Sequence, residues 1–361
     1  SSSASRDRPS TTTSNATCGI TTRCSRVKPR WELQSLLEPR QVGIGTSGGC
    51  ELAYHSVEIG LRDDATSAVL DLDMANAFGR ASHSLLRRSA LQWLPSLLPH
   101  IDRIIGDDST DTHARATLLG WRQSSTTDSP DRLYRLLATG LPQGDPLSPA
   151  LHALTMHVYL EALQSRFPGA AIHAYHDDLK VVGPPDLLAD ILEWSREVLP
   201  TTGAELQVAK CRMYCQGPLP PELLSRLQDI EVTQEGLNLL GGSIGHDDFV
   251  NRHVDKQLLK HRSLLTAFRN LPPDHLQATL GLLRWCAGPA LTHCLRLLPP
   301  RHAEPLARRV DHDTLATLEH LLGGLADPAS PHTADHVRAQ IQLPTKVGGL
   351  GLANKSIIQP A

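Results

Sequence analysis

Two adjacent carboxylates, Asp177 and Asp178, stand in the run Ala174-Tyr175-His176-Asp177-Asp178-Leu179, with strand-like residues 171–173 before it and 180–183 after it. The pattern predicts a strand, a turn and a strand, with both acids at the tip. Asp favours turns, so a solvated turn is the plain reading of this pair taken alone. A second acidic run, Ala68-Val69-Leu70-Asp71-Leu72-Asp73, alternates as a strand and puts Asp71 and Asp73 on one face. A strand ending in Asp73, set against a hairpin ending in Asp177 and Asp178, can place three carboxylates close together. Acids so placed raise one another's pKa unless a cation joins them, and oxygen-only donors favour Mg²⁺ or Mn²⁺. Two such ions, about 4 Å apart, can activate an attacking hydroxyl and stabilise a leaving oxygen in an in-line phosphoryl transfer. The chemistry implied is nucleotidyl transfer or phosphodiester hydrolysis.

Periodicity marks the elements that must position these acids. Ser82 to Leu94 has helical apolar spacing at Leu85, Leu86, Leu91 and Leu94, with Ser82 as its start signal. Ser148 reads as an N-cap and Pro149 as the first residue of a helix that runs to Arg166 and stops at Phe167-Pro168-Gly169. Another helix, from about Asp186 to Val198, has a buried stripe of Leu187, Leu188, Ile191, Leu192 and Trp194. The fold expected is α+β, an antiparallel sheet backed by helices. Residues 251–310 carry ten cationic side chains against three acidic ones in a chain of net charge −3. The same segment has helical spacing at Leu258, Leu259, Leu264, Leu265 and Phe268, then at Leu276, Leu280, Leu283 and Cys286 after an N-cap at Asp274. A basic helical region can hold a nucleic-acid backbone independently of base sequence, the other reading being a solvated Arg-rich face.

At 361 residues the chain is long enough for two or three subdomains. Its seven cysteines form no Cys-x-x-Cys pair, and neither Cys211 with Cys215 nor Cys18 with Cys24 finds a partner pair. Free thiols in a reducing compartment are therefore expected rather than a zinc site. No apolar run approaches the roughly 18 residues of a membrane span, and no signal peptide is visible. Residues 105–130, rich in Asp, Ser and Thr, read as an insertion or mobile loop.

Five blocks in order resemble the reverse transcriptases of non-LTR retrotransposons. Asp73-Met74-Ala75-Asn76-Ala77-Phe78 is similar to the first palm motif of that family, an Asp followed five positions later by an aromatic. Gly140-Leu141-Pro142-Gln143-Gly144-Asp145-Pro146-Leu147-Ser148-Pro149 resembles the Pro-Gln-Gly motif and is the most specific match. Tyr175-His176-Asp177-Asp178 resembles the third motif, Gly203-Ala204-Glu205-Leu206 to Lys210 the fourth, and Leu239 to Gly245 the primer-grip hairpin. Flanking these, Gln41 to Glu51 and Leu343-Pro344 with Gly348-Gly349-Leu350-Gly351-Leu352 resemble blocks before the first motif and after the thumb.

The resemblance implies a right-hand polymerase with its fingers partly missing: a Ser/Thr-rich disordered leader (1–30), a remnant of the fingers (31–65), the palm (66–250), a helical thumb (251–330) and a C-terminal tail (331–361). It implies that Asp73, Asp177 and Asp178 hold two Mg²⁺ ions, Mn²⁺ being the alternative, and that a primer 3′-hydroxyl attacks the α-phosphate of a deoxynucleotide. Lys210 would neutralise or protonate the leaving pyrophosphate. Phe78 would exclude a 2′-hydroxyl, with Pro142, Gln143, Gly144 and Tyr175 around the substrate. Gly241, Gly242, Lys260, Arg262 and Arg269 would hold the RNA template and DNA primer. An intracellular, nuclear protein is expected, with no membrane partner. The family's upstream Arg-Pro block has no match, Val27-Lys28-Pro29-Arg30 being the nearest basic stretch. His176 stands where a small or apolar residue is more usual, and its protonated ring would compete with metal at low pH. The alternative implied by the unmatched fingers is an inactive remnant that binds RNA or duplex without chemistry.

Overall fold

Valine and leucine alternating with aspartate in 68–73, and β-branched residues on both sides of 176–177, give the chain its central strands. A computed structural model describes residues 29–105, 118–122, 132–136, 139–324 and 331–358. In chain order the strands are β1 (Ala68–Leu72), β2 (Leu118–Arg122), β3 (Arg132–Leu136), β4 (Ala171–Tyr175), β5 (Asp178–Gly183) and β6 (Arg212–Cys215). Three shorter strands follow, β7 (Glu231–Thr233), β8 (Gly236–Leu239) and β9 (Gly242–Gly245). The order β4-β5-β1-β6-β7 forms a five-stranded sheet whose β6–β7 pair is parallel, while β2–β3 and β8–β9 are separate antiparallel hairpins. With helices making up most of the other described residues, the architecture is α+β, as expected.

The described residues divide into two compact units, one within residues 1–49, 71–181 and 186–211, the other within 50–70, 182–185 and 212–361. In the first, the Ser148–Arg166 helix is buried along most of its N-terminal part, up to Leu160. Its Leu151 and Leu154 share a core with Leu86 and Ala90 of the His83–Trp93 helix, with Leu33 and Leu37, and with Ile101 and Ile105. Tyr159 meets Ser195 of the Pro185–Val198 helix in a buried 2.7 Å hydrogen bond, which satisfies a phenol that burial would otherwise penalise.

In the second unit, Val250, Val254 and Leu258 of the Asp247–Arg269 helix pack on Leu306, Ala307 and Val310 of the Pro300–Leu322 helix. The β8–β9 turn places Leu240 and Gly241 at φ of 49° and 86°. Two successive positive φ values are what a tight two-residue hairpin turn requires. Its strands bury Leu237, Leu239 and Ile244 against Tyr54 and Val57.

Several local expectations shift. Ser82 caps its helix as expected, accepting from the Leu85 N–H. Ser148 is no N-cap: its hydroxyl donates to the Pro142 carbonyl at 2.7 Å, and Asp145 is the side chain that accepts, from the Leu147 N–H at 2.7 Å. Asp274 is likewise no cap but lies in a 3₁₀ turn, Pro273–His275, before the Leu276–Leu282 helix. Leu259 and Cys286 point outward, and Val254, His261 and Ala287 complete the buried stripes. Cys211 and Cys215 are buried free thiols. Residues 1–28 of the expected leader (1–30) lie outside the described residues, and Pro29 and Arg30 begin the Pro29–Leu37 helix; of 105–130 only Ile105 and β2 are described. Among the described residues no helix is long and apolar enough to cross a membrane.

Candidate active site

The turn falls where predicted, with His176 and Asp177 between β4 and β5, while Asp178 is already the first residue of β5. His176, the first turn residue, has φ 58°, a left-handed conformation that costs a side-chain-bearing residue about 1 kcal/mol or more. The buried Gln41 side chain holds it there. Gln41 Oε1 accepts from the His176 N–H at 2.8 Å, and Gln41 Nε2 donates to the His176 carbonyl at 2.9 Å. Gln41 is itself fixed by the Gly43 N–H at 3.0 Å and by backbone pairing of Arg40 and Val42 with Ala174. A Cβ on Gly43 would lie 2.8 Å from the His176 nitrogen, so the close approach requires glycine. The Gln41-Val42-Gly43 block is therefore a brace for the acidic turn, a role that spacing alone did not disclose.

Asp73 ends β1. Its carbonyl accepts from the Gln207 N–H at 2.9 Å, and the Ala75 N–H donates to the Glu205 carbonyl at 2.8 Å, fastening the Glu205–Gln207 segment beside it. Asp73 and Asp178 both act electrostatically on Asp71, which places these acids in one neighbourhood. The group that joins them is Lys180, only 4% exposed, which is in contact with Asp71 and lies 3.6 Å from Asp178. Burial pushes the Asp71 carboxyl above its usual range; Lys180 opposes that rise, and Asp178 and Asp73 add to it. Lys210, the residue expected to face the leaving pyrophosphate, is exposed at the end of a 3₁₀ turn. Lys180 had a signal of its own, a lone lysine in the apolar strand Leu179-Lys180-Val181-Val182 facing a strand with an extra aspartate.

The Pro-Gln-Gly block is bound to the segment after Asp73. The Leu141 N–H donates to the Phe78 carbonyl at 2.7 Å, the Gly140 N–H to the Ala81 carbonyl at 2.9 Å, and His83 Nε2 meets the Gly140 carbonyl at 2.7 Å. Gly140 has φ 82°, and a Cβ there would fall on the Gly79 carbonyl. Phe78 stacks on His152 with centroids 4.7 Å apart and 28° between planes. Burial drives His152 down to about 4, so its ring is neutral at pH 7 and serves as a flat apolar partner. Pro142 is half-buried, and Gln143 and Gly144 are exposed. Tyr175 meets His176 edge to face at 4.9 Å. Burial also lowers His176, against the opposing pull of Asp177 and Asp178, so its protonation falls below the ordinary histidine range.

Asp73, Asp177 and Asp178 offer carboxylate oxygens, the donor chemistry that Mg²⁺ selects. Among the described residues, however, no three acidic, histidine or cysteine side chains are grouped as a ready-made metal centre. The donors fit in kind, and Asp178 is shared with Lys180.

The remaining expected site residues belong to the second unit. Gly241 and Gly242 are in the β8–β9 hairpin. Lys260 is exposed on the Asp247–Arg269 helix. Arg262 is committed to Asp313 at 2.6 Å, and Arg269 donates twice to the Thr317 hydroxyl, at 3.0 and 2.8 Å.

Residues 25–244 match the family model described as reverse transcriptase (RNA-dependent DNA polymerase). A 132 kDa protein of the retrotransposable element SLACS from Trypanosoma brucei gambiense is 26% identical over 219 residues, 59% of this chain. The match spans 17% of that protein's length. Among solved structures, apo telomerase from Candida tropicalis is similar at 11% identity and a TM-score of 0.42, covering 92% of this chain and 60% of that one. Telomerase from Candida albicans in complex with a fragment of telomeric RNA has 12% identity and a TM-score of 0.37, covering 85% and 54%.

Proposed function

The chain belongs to the reverse transcriptase family, and on that premise we propose that it is the catalytic part of an RNA-directed DNA polymerase of a non-LTR retrotransposon, working by two-metal nucleotidyl transfer. The observation that carries this reading is the neighbourhood of Asp71, Asp73 and Asp178, with the buried Lys180 between Asp71 and Asp178, beside a strained turn that Gln41 holds in place. Asp73, Asp177 and Asp178 would hold Mg²⁺, or Mn²⁺ in its place. Two bound ions would lower the pKa of the primer 3′-hydroxyl and offset the charge on the leaving pyrophosphate.

The chain's own residues do the positioning. The Phe78 ring, stacked on His152, lies against the sugar of the incoming deoxynucleotide and leaves no space for a 2′-hydroxyl. Pro142, Gln143 and Gly144 bring backbone close to the template and nucleotide, Tyr175 completes the substrate surface, and Lys210 faces the pyrophosphate. Residues 66–250 act as palm and 251–330 as thumb, with Gly241 and Gly242 against the primer. Because Arg262 and Arg269 already have internal partners, Lys260 contributes most of the phosphate attraction expected of that trio.

A second reading is favoured by the engagement of Asp178 with Lys180 and by the lack of a grouped metal centre among the described residues: a remnant that binds RNA or duplex without chemistry. One experiment separates the two. Primer extension on an RNA template with Mg²⁺ is compared for this chain, for Asp177→Asn and for a version extended upstream in its genomic frame, with RNA affinity measured in parallel. Extension by the native chain or by its extended version, lost with Asp177→Asn, is the result expected. RNA binding with extension by none of the proteins overturns the polymerase reading and leaves the remnant.

A further inference from the structure

The Leu343-Pro344 and Gly348 to Leu352 block has no part in the chemistry above, yet the chain folds it with care. The Ile341–Leu352 segment closes on itself through Gly349 N–H to Pro344 carbonyl (3.2 Å), Gly351 N–H to Leu343 carbonyl (2.9 Å) and Leu352 N–H to Ile341 carbonyl (3.3 Å). It lies against the half-buried Arg284. Arg284 Nη2 donates to the Thr345 hydroxyl at 3.3 Å, and Gly351, at φ 71°, lies so close that a Cβ would stand 2.8 Å from Arg284 Nε.

Arg284 projects from a single π-helical turn, Leu283–Ala287, closed by the Gly288 N–H on the Leu283 carbonyl at 2.8 Å. Such turns cost helix regularity and are frequent at functional sites. The extra residue turns Trp285 outward, 68% exposed, with the Arg284 guanidinium 5.2 Å from its ring centroid. On the Arg284 side is a cavity of about 320 Å³, lined by Arg284, Gln342, Pro344, Thr345, Lys346, Gly351 and Ala353, none of them acidic. A wide aromatic face, two cations and a cleft free of carboxylates suit a ligand that carries a flat ring and a phosphate at each repeat.

We propose that Arg284, Trp285 and Lys346 form a binding site for single-stranded nucleic acid, with a base stacked on Trp285 and its phosphate held in the cleft by Arg284 and Lys346. The choice of polymer rests on the reading of the chain as a nucleic-acid polymerase; the site itself lies apart from the acidic turn in sequence and uses none of its residues. Stacking on an aromatic tolerates any base, so the site holds strand rather than sequence.

The test is fluorescence anisotropy of a short labelled oligouridylate, and of a duplex of the same length, titrated with the whole chain at several salt concentrations. Trp285→Ala should weaken single-strand affinity roughly 10-fold, Trp285→Phe should keep most of it, and Lys346→Ala should lower the salt slope by about 0.7. Both side chains are exposed, so equal urea midpoints are expected and confirm that each variant is folded. Single-strand affinity unchanged by Trp285→Ala overturns the proposal. So does a native chain that fails to bind the strand while Trp285→Ala abolishes self-association in sedimentation, which would make the exposed Trp285, Leu343 and Val347 a protein interface. Asp177→Asn should leave this affinity intact. Loss of extension with Asp177→Asn alongside an inert Trp285 therefore sinks this site and spares the polymerase, and the converse spares the site.

Discussion

Replacing Lys180 by Met tests the account of the acidic cluster, because the two carboxylates it serves differ in exposure. Asp71 is enclosed, its side chain 17% exposed, whereas that of Asp178 is 55% exposed. An ion pair with a half-exposed carboxylate contributes at most about 1 kcal/mol, since water screens it. Removing the partner of a buried carboxylate costs about 3–5 kcal/mol, because the stranded charge keeps its desolvation penalty. The Asp71 arm dominates, and Lys180→Met should lose about that amount at neutral pH, against under 1 kcal/mol for Asp178→Asn. The loss should also depend on pH with a definite sign. The Asp71 carboxyl already titrates above its ordinary value, so the stability it contributes is complete below about pH 4 and is lost as pH rises through its folded pKa. Without Lys180 only the influences that raise it remain, burial first, then Asp178 and Asp73. The deficit of Lys180→Met should therefore be largest near pH 7 and shrink on acidification. Urea unfolding in metal-free buffer at neutral and acid pH measures both quantities. The double variant Asp71→Leu with Lys180→Met removes both charges and should regain most of the stability. A cost for Lys180→Met below about 1 kcal/mol, or a deficit constant with pH, would refute the buried pair as the hub of the cluster.

Two further substitutions probe the frame around the acids. His152 is held down to about 4 by burial, so its stabilising contribution is present above the ordinary histidine value and lost as pH falls toward 4, by about 3 kcal/mol. His152→Phe keeps the stack on Phe78 and should flatten the urea midpoint over that window; an unchanged slope would mean that the ring is not buried as a neutral group. Gly140→Ala puts a methyl on the Gly79 carbonyl at a positive φ and should cost about 2 kcal/mol or more, read from the same unfolding curves. A cost near zero would show that the Pro-Gln-Gly block is not fastened to the Phe78 segment as described.

How much of this was legible in the sequence follows from the range of the forces involved. The β4–β5 turn, the β8–β9 hairpin and the start of the His83–Trp93 helix depend on neighbours within a few residues, and period and turn chemistry disclosed them. Ser148 misled because Ser-Pro imitates a cap, while its hydroxyl turns back to the Pro142 carbonyl and no side chain caps that helix. The contacts that make the site specific are distant. Gln41 reaches His176 across 135 residues and Lys180 reaches Asp71 across 109, and neither a brace nor a counter-ion has a period to betray it. The same blindness affected the charge count over 251–310. A window sum treats Arg262 and Arg269 as cations free for phosphate, but Asp313 and Thr317 return from a later helix and occupy them. Local excess of charge therefore overstated the grip of the basic helix, and the cations that pair with an outward aromatic, Arg284 above all, are held by a glycine-rich loop about sixty residues further on. A search for nucleic-acid contacts in this chain should therefore rank its cations by what they already touch, because an arginine that donates to a carboxylate must break that bond before it can hold a phosphate.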